Sequence, residues 1–573
     1  MRKYLNYLAG LICCAVVGAV YFYVSLPPIN IHSTAFWWFF VILLLSFSIP
    51  FGVFSAVLSV AEKFGKKGRT VTAAPALKVI LILACVPIVV CIFGGIASST
   101  FFNAHRYASV ITVNEAKFEE DMPETTNVTN IALMDSNSAR VIGNRTLGSL
   151  SDVVSQYEAG YTYNQINYQG APKKVTSLEY VDFFKWFNNR KAGVPGYIMV
   201  DPVNNTASYE KLDAPIKYVS SAWFNDNLER KLRFSYPTKI FGSYSFEIDD
   251  SGNPYYVVSC LTARVGLFGA MDVEEVIIFD PTNGSSEIYP VAETPAWVDE
   301  VYTGYLATEK YNWYGMYSGG FWNSVISNKD CKKTTDDFGY IVLGDDVWYF
   351  TGVTSITSDQ SNIGFIITNA RTGEYKFYPV VGAEEYSAMS AAEGEVQEKG
   401  YTASFPSLIN VSGKATYILV LKDDGGLVKL YALVNVENYS IVATGTTQQE
   451  AMKEYKRLLA QNGVTSTDKE SKLPEEKFKV LDVNTASIGG ETYIYITSPD
   501  KTLYKAQISA DETLLLISKG DLISVKYSET SDSKIRYIDS WDFTQEPKEN
   551  SEVKLYAEDD AADDTAKPDD SAA

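Results

Sequence analysis

Histidine is almost absent from this chain: 573 residues include two, His32 and His105. Cysteine is scarce as well. Of six, Cys13, Cys14, Cys85 and Cys91 lie inside long apolar runs, which leaves Cys260 and Cys331 for everything else. A Ser-His-Asp or Cys-His centre needs an imidazole beside its nucleophile. With His32 between the first two apolar runs and His105 just past the third, the long remainder has none to offer. Zinc would also lack ligands there, so we expect no cofactor and no metal. Cys260 and Cys331 are either a disulfide or two separate buried thiols. Basic charge is short too, with 49 Lys and Arg against 69 Asp and Glu and a net charge of −20. Residues 1–100 hold seven of the basic residues and one Glu, so the rest of the chain carries −26. Such a surface repels phosphate backbones, which excludes nucleic acid as a partner.

Long apolar runs fill the first hundred residues. Leu5–Leu26, Ala35–Val60 and Val79–Ser98 each reach the roughly 20 residues that cross a hydrocarbon core. None contains Asp, Glu, Lys or Arg, which argues for an anchor rather than a transport path. Arg2 and Lys3 precede the first run, and Lys63, Lys66, Lys67 and Arg69 separate the second from the third, whereas Pro27–Thr34 has no basic residue. The positive-inside rule then makes this a multi-pass plasma-membrane protein, with a cytoplasmic amino terminus and everything after Ser98 outside. No small-x-small cleavage site follows the first run, which favours an anchor over a signal peptide. Pro50 and Pro87 fall inside the second and third runs, where neighbouring helices tolerate a kink.

Beyond the anchor, hairpins recur. Tyr197–Leu212 (YIMVDPVNNTASYEKL), Val276–Val291 (VIIFDPTNGSSEIYPV) and Phe365–Val380 (FIITNARTGEYKFYPV) align without a gap, and Tyr431–Gly445 (YALVNVENYSIVATG) is a shifted fourth copy. Asp201, Asp280, Asn369 and Asn435 sit at the turn entry, where a short acceptor bonds the backbone two residues on. Another hairpin precedes each, around Gly170, around Asp249 to Gly252, around Gly344 and around Gly413. Helical spacing of apolar residues occurs at 216–234, 296–313, 383–399, 446–459 and 180–189, the pattern of helices covering one face of a sheet. The fold class expected is α+β. The expected organisation is a three-helix anchor (1–100), a first repeat with a juxtamembrane segment (101–212), three further repeats (213–292, 293–381, 382–460), a linker (461–477), a small β-barrel (478–545) and a disordered acidic tail (546–573).

A helix followed by antiparallel strands ending in D-P-x-[TN]-G, over Gly160 to Gly445, resembles the PepSY-type domain of secreted and membrane-anchored bacterial proteins. That resemblance implies an extracytoplasmic module that binds or restrains a partner such as a protease. The whole chain also resembles a membrane-anchored family of Gram-positive bacteria. Lys519, Gly520, Asp521 and the strand Leu522–Tyr527 resemble the turn and strand of small closed barrels such as OB-like folds.

Adjacent acids invite an enzymatic reading: Asp249–Asp250, Asp345–Asp346, Glu384–Glu385 and Asp423–Asp424. A glycosidase needs two carboxylates facing one bond, but neighbours along a strand point to opposite faces. Solvated turn acids are the expectation for each pair. Ser-x-x-Lys at 466–469, 531–534 and 551–554 has no Lys-Thr-Gly partner in the chain, so these are chance matches. Aromatic residues make up 13% of the chain and cluster at Tyr311, Trp313, Tyr314, Tyr317, Phe321 and Trp322. Such rings serve core packing or stack on a partner's surface. Two function classes follow. One is a non-catalytic envelope scaffold whose modules contact a protein or a wall polymer. The other is a carboxylate-dependent envelope hydrolase acting on glycan.

Overall fold

Length and hydropathy dictate the first elements. The computed structural model describes residues 5–64, 74–125, 131–356, 358–462, 474–488, 491–508, 512–529 and 535–544. Helices α1 (Leu5–Ser25) and α2 (Thr34–Phe64) are long and apolar enough to cross a membrane. Helix α3 (Ala74–Ala97) makes a third candidate span only together with α4 (Thr100–Ala108), from which it is bent by 56°. Pro50 and Pro87 lie inside α2 and α3 without ending either. Arg2, Lys3, Lys66, Lys67 and Arg69 fall outside the described residues.

The chain divides into two compact units, Met1–Val464 and Thr465–Ala573. In the first unit every expected hairpin forms, and consecutive hairpins join into antiparallel sheets. The first sheet runs Asn164–Tyr168, Ala171–Tyr180, Val194–Asp201 and Thr206–Ile216, with Tyr157–Ala159 added beside the second strand. The second runs Ile240–Ile248, Pro254–Val265, Gly269–Phe279 and Ser286–Pro290. The third is built on Gly339–Leu343, Asp346–Ser355, Ser358–Asn369 and Tyr375–Tyr378, and Val113–Glu115 pairs in parallel with its last strand. The fourth is built on Ser407–Val411, Lys414–Lys422, Val428–Asn435 and Val442–Gly445.

Sheets of this kind usually leave one face to water, and helix cover on the other was the expectation. Here both faces are buried. Residues of the first and second sheets share one core, including Tyr197, Phe246, Tyr256 and Phe279, and Tyr197 meets Phe246 with ring centroids 5.9 Å apart. The far face of the second sheet packs on Val298, Val301 and Tyr302. Helix Gly304–Tyr317 follows, and its Ala307 and Tyr311 cover the third sheet. The third and fourth sheets share a core with Ala388 and Ala392 of helix Glu385–Glu395. Helix Gln448–Gln461 covers the fourth sheet through Ala451, Tyr455 and Leu459. An ion pair between Lys422 of the fourth sheet and Asp135, the cap of a helix packed on the first, closes this order on itself. Thus Ile366 and Leu433 face helices as expected, whereas Ile277 and Phe279 face another sheet.

The helix expected at 216–234 is reduced to Leu228–Ser235. Ile216 ends a strand, and Asn227 starts the helix by accepting from the Arg230 N–H at 3.0 Å, one of the orphan donors every helix start presents.

The second unit is one six-stranded sheet around Phe478, Ile494, Ile496, Tyr504, Ile523 and Val525. Its edge strands, Glu475–Lys479 and Asp482–Ile488, are separated in sequence by Val480 and Leu481 alone. Strands lie about 4.8 Å apart and a residue spans at most about 3.6 Å, so two residues cannot cross a flat six-stranded sheet. The sheet therefore curls until its edges approach. Gly520, at φ 96°, turns the chain into Leu522–Glu529. Glu475, Glu476 and Lys477, expected in the linker, belong to the first of these strands. Residues 463–473 of that linker and the whole acidic tail lie outside the described residues.

Candidate functional site: a hydroxyl-lined cleft beside the first sheet

The helix Ser136–Gly148 is started by Asp135, which accepts from the Ser138 N–H at 2.9 Å. Its buried residues Ala139, Gly143 and Leu147 recur every fourth position and face the first sheet. Gly143 is required there, because a Cβ would lie 2.1 Å from the Tyr163 hydroxyl. Between this helix, the strand Tyr157–Ala159 and the edge of the second sheet lies a cleft of about 820 Å³. Gly160 lets the 160–162 loop lie against the wall, where a Cβ would meet Thr176 Oγ1 at 2.5 Å.

Hydroxyl-bearing side chains recur in the lining, from Thr176, Ser177, Ser220, Ser221, Tyr244 and Tyr256 among others, set among apolar ones such as Leu147, Val181 and Phe246. Glu179 is set among them. Its Oε2 accepts from the Ser221 N–H at 2.9 Å and from the Ser221 hydroxyl, and its Oε1 accepts from the Ser177 hydroxyl at 3.2 Å. Ser177 in turn accepts from the Tyr256 hydroxyl at 3.0 Å, and Ser221 Oγ accepts from the Tyr180 N–H at 2.8 Å. Removal from water pushes the Glu179 carboxyl above its usual range, against the pull of the Ser221 and Ser177 donors. At the mouth, Tyr161 is 82% exposed and the Arg140 guanidinium lies 4.9 Å over its ring. Glu158, directly opposite Glu179 in the strand ladder, is exposed. A cleft of this kind offers donors and acceptors in quantity, the carboxylates of Glu158 and Glu179 and an aromatic face, which suits a polyhydroxylated ligand. No His, Cys or Lys lines it.

A second group of ionisable side chains is buried between sheets. Glu247 accepts from the Asp299 N–H at 2.7 Å and the Glu300 N–H at 3.1 Å, and Asp299 accepts from the Asn167 N–H at 2.8 Å. Burial raises Glu247 and Asp299 together, pushes Glu300 up to about 8 and brings Lys174 down to about 8. These carboxylates tie backbone to backbone: they fasten the 298–301 segment to the first and second sheets. Glu247 could have been noticed as an acid within the strand sequence SYSFEI. Glu179 carried no such signal, because its partner Ser221 is 42 residues away.

The residues singled out from sequence are dispersed. Cys260 and Cys331 are both buried and free. Cys260 belongs to the core shared by the first two sheets, while Cys331 accepts from Asn323 Nδ2 at 3.3 Å, so separate packing replaces the disulfide alternative. Asp249 and Asp423 are turn acids as expected; Asp249 accepts from Ser251 and Asn253 N–H groups, and Asp423 from those of Gly425 and Leu427. Asp346 instead pairs with Arg371 at 2.7 Å. Glu385 is a correction: it lies in the first turn of a helix and is fully buried, not solvated. Among the described residues no group of His, Cys, Asp and Glu is placed to hold a metal ion. Of the aromatic cluster, Tyr311 is core and Trp313 packs on Tyr107 at 5.3 Å, while Trp322 is exposed.

No protein-family model and no curated protein matches this chain. Among solved structures, an endo-arabinase from Bacteroides thetaiotaomicron is similar at 12% identity, over 48% of this chain and 74% of that one, with a TM-score of 0.16. A score that low carries no argument about fold or activity.

Proposed function

We propose that this protein is a non-catalytic, membrane-anchored binding protein of the cell envelope, crossing the membrane three times and presenting its sheets outside. Its cleft beside the first sheet takes a wall glycan. The observation that carries the reading is Glu179, whose two oxygens are both engaged by protein donors, while the exposed aromatic face of Tyr161 stands at the mouth. A carboxylate so held, with both oxygens taken up by Ser177 and Ser221, can accept further bonds from sugar hydroxyls, and we read it as a binding acid rather than one of the two catalytic acids of a glycosidase.

The same side-chain device at the turns of Asp201, Asp280, Asn369 and Asn435 supports reading the four sheets as tandem modules; each accepts from a backbone N–H two or three residues ahead. The PepSY-type reading of these modules rests on the sequence pattern over Gly160 to Gly445, and the curled second unit supports a small barrel. The test is calorimetry of the full chain in nanodiscs with soluble wall-glycan fragments. Binding that Tyr161→Ala weakens at least tenfold is expected. Release of shortened fragments in the same cell would move the reading to the hydrolase, with Glu179 and Glu158 as its acids. Orientation is checked with a tag at each terminus: protease added to intact cells should remove the carboxyl-terminal tag and spare the other.

A further inference from the structure

The first unit rests directly on the ends of its helices. Arg230 Nε donates to the Tyr23 carbonyl at 3.2 Å and Arg233 Nε to that of Leu26 at 2.9 Å, at the end of α1. At the end of α3, Ser98 Oγ accepts from the Leu267 and Phe268 N–H groups at 2.8 and 3.1 Å. A Cβ on Gly94 would lie 2.8 Å from the Phe268 ring, so this turn is pressed against the helix itself.

One turn beyond Ser98, a continuous apolar surface begins. Phe101 meets Phe102 at 4.7 Å, Phe321 at 5.0 Å and Trp322 at 5.8 Å between ring centroids. Trp322 leads into a single π-helical turn, Asn323–Ser327, which displays Val325 and Ile326. The exposures are those of a surface awaiting cover: Phe102 64%, Trp322 63% and Ile326 72%. The turn is not a loose end. Asn323 Nδ2 donates to the Lys329 carbonyl at 2.8 Å and to Cys331 Sγ at 3.3 Å, so its apolar tip is held in one place.

We infer that Phe101, Phe102, Trp322, Val325 and Ile326 form a lipid-seated patch, buried in the outer interfacial layer of the same membrane that the helices cross. Continuity argues for lipid: the patch starts in the turn after α3, level with the helix ends that hold the first unit. Aromatic rings with aliphatic neighbours are what that layer accepts, Trp above all. Contiguous exposed apolar surface has to be covered by something. The consequence is that the first unit is fastened at a fixed height and tilt, with Trp322 as a second point of attachment beside the helices.

This inference rests on the membrane-anchored reading, and the experiment separates the two. The full chain is placed in nanodiscs whose phospholipids carry bromine near the headgroup end of the acyl chains, which quenches nearby Trp emission, and is compared with unbrominated discs. Wild type, Trp322→Phe and Trp38→Phe are measured. Expected is a quenched component that Trp322→Phe loses, and a separate one that Trp38→Phe, on α2, loses. If the Trp38 component is quenched and the Trp322 component is not, the anchor stands and the lipid-seated patch is overturned; a protein partner then becomes its occupant. If neither is quenched, the membrane reading itself fails. An Ile326→Asp variant provides an independent check: its ectodomain should become more accessible to added protease at the 320–328 turn in discs, and unchanged accessibility counts against lipid burial.

Discussion

Replacing Glu385 with Gln should stabilise the protein in a pH-dependent way. Glu385 is fully buried, its Oε1 accepts from the Gly352 N–H at 2.5 Å, and burial pushes its carboxyl from 4.5 up to about 7. In the unfolded chain the same group loses its proton near its ordinary value. Between the two the folded state holds more protons than the unfolded one, so stability falls as pH rises through the window from 4.5 to about 7 and the penalty is complete above it. At about 1.4 kcal/mol for each tenfold change in proton affinity, ionised Glu385 costs about 3 kcal/mol. Gln keeps the shape and an acceptor for Gly352 but never ionises. The variant should therefore match wild type near pH 4 and exceed it by about 3 kcal/mol near pH 8. Thermal unfolding of both chains in detergent, run as a pH series, reads the difference directly. Glu247, Asp299 and Glu300 shift in the same direction, but they are common to both proteins and cancel. A stability difference that does not change with pH, or a less stable variant at pH 8, would refute the reasoning.

Three further outcomes are expected. Asp280→Ala removes the acceptor of the Thr282 N–H and should cost about 0.5–2 kcal/mol in chemical unfolding without altering glycan binding; loss of binding with unchanged stability would place Asp280 in a site instead. Cys260 is buried and its thiol is pushed up to about 12 by burial, so maleimide should leave it unmodified in the native protein and label it after denaturation; rapid native labelling, read by mass spectrometry, would contradict the packing described. Limited proteolysis should cut near the division between Val464 and Thr465 and leave a folded piece that begins before Glu475 and keeps its first strand whole, because few contacts cross such a boundary. Cleavage confined to the last residues would show one body rather than two.

The hairpins were legible because their causes are local. A strand of apolar residues and an Asp or Asn at the turn entry, joined at two of the four turns by Gly284 and Gly373, determine the turns without reference to anything distant. What covers a strand is not local, yet runs such as YYVVSCL at 255–261 and TYILVL at 416–421 are apolar on both alternating faces, and they do lie in sheets buried on both sides. The 216–234 segment misled because Ile216, Val219 and Ala222 keep helical spacing while ending a strand and forming a turn. In the cleft, Glu179 depends on a serine supplied by a different stretch of chain, and no spacing along one strand could announce that.

The ion pair between Lys422 and Asp135 joins positions 287 residues apart, and Val113–Glu115 waits for Tyr375–Phe377 to complete its ladder. During synthesis the helix-capping Asp135 and that short strand are made long before their partners exist. Neither connection can form until the third and fourth sheets have been made. Closure over such sequence distances is slow. For this chain the order in which the sheets are made, rather than the strength of any single sheet, sets when Asp135 and Val113–Glu115 gain their partners.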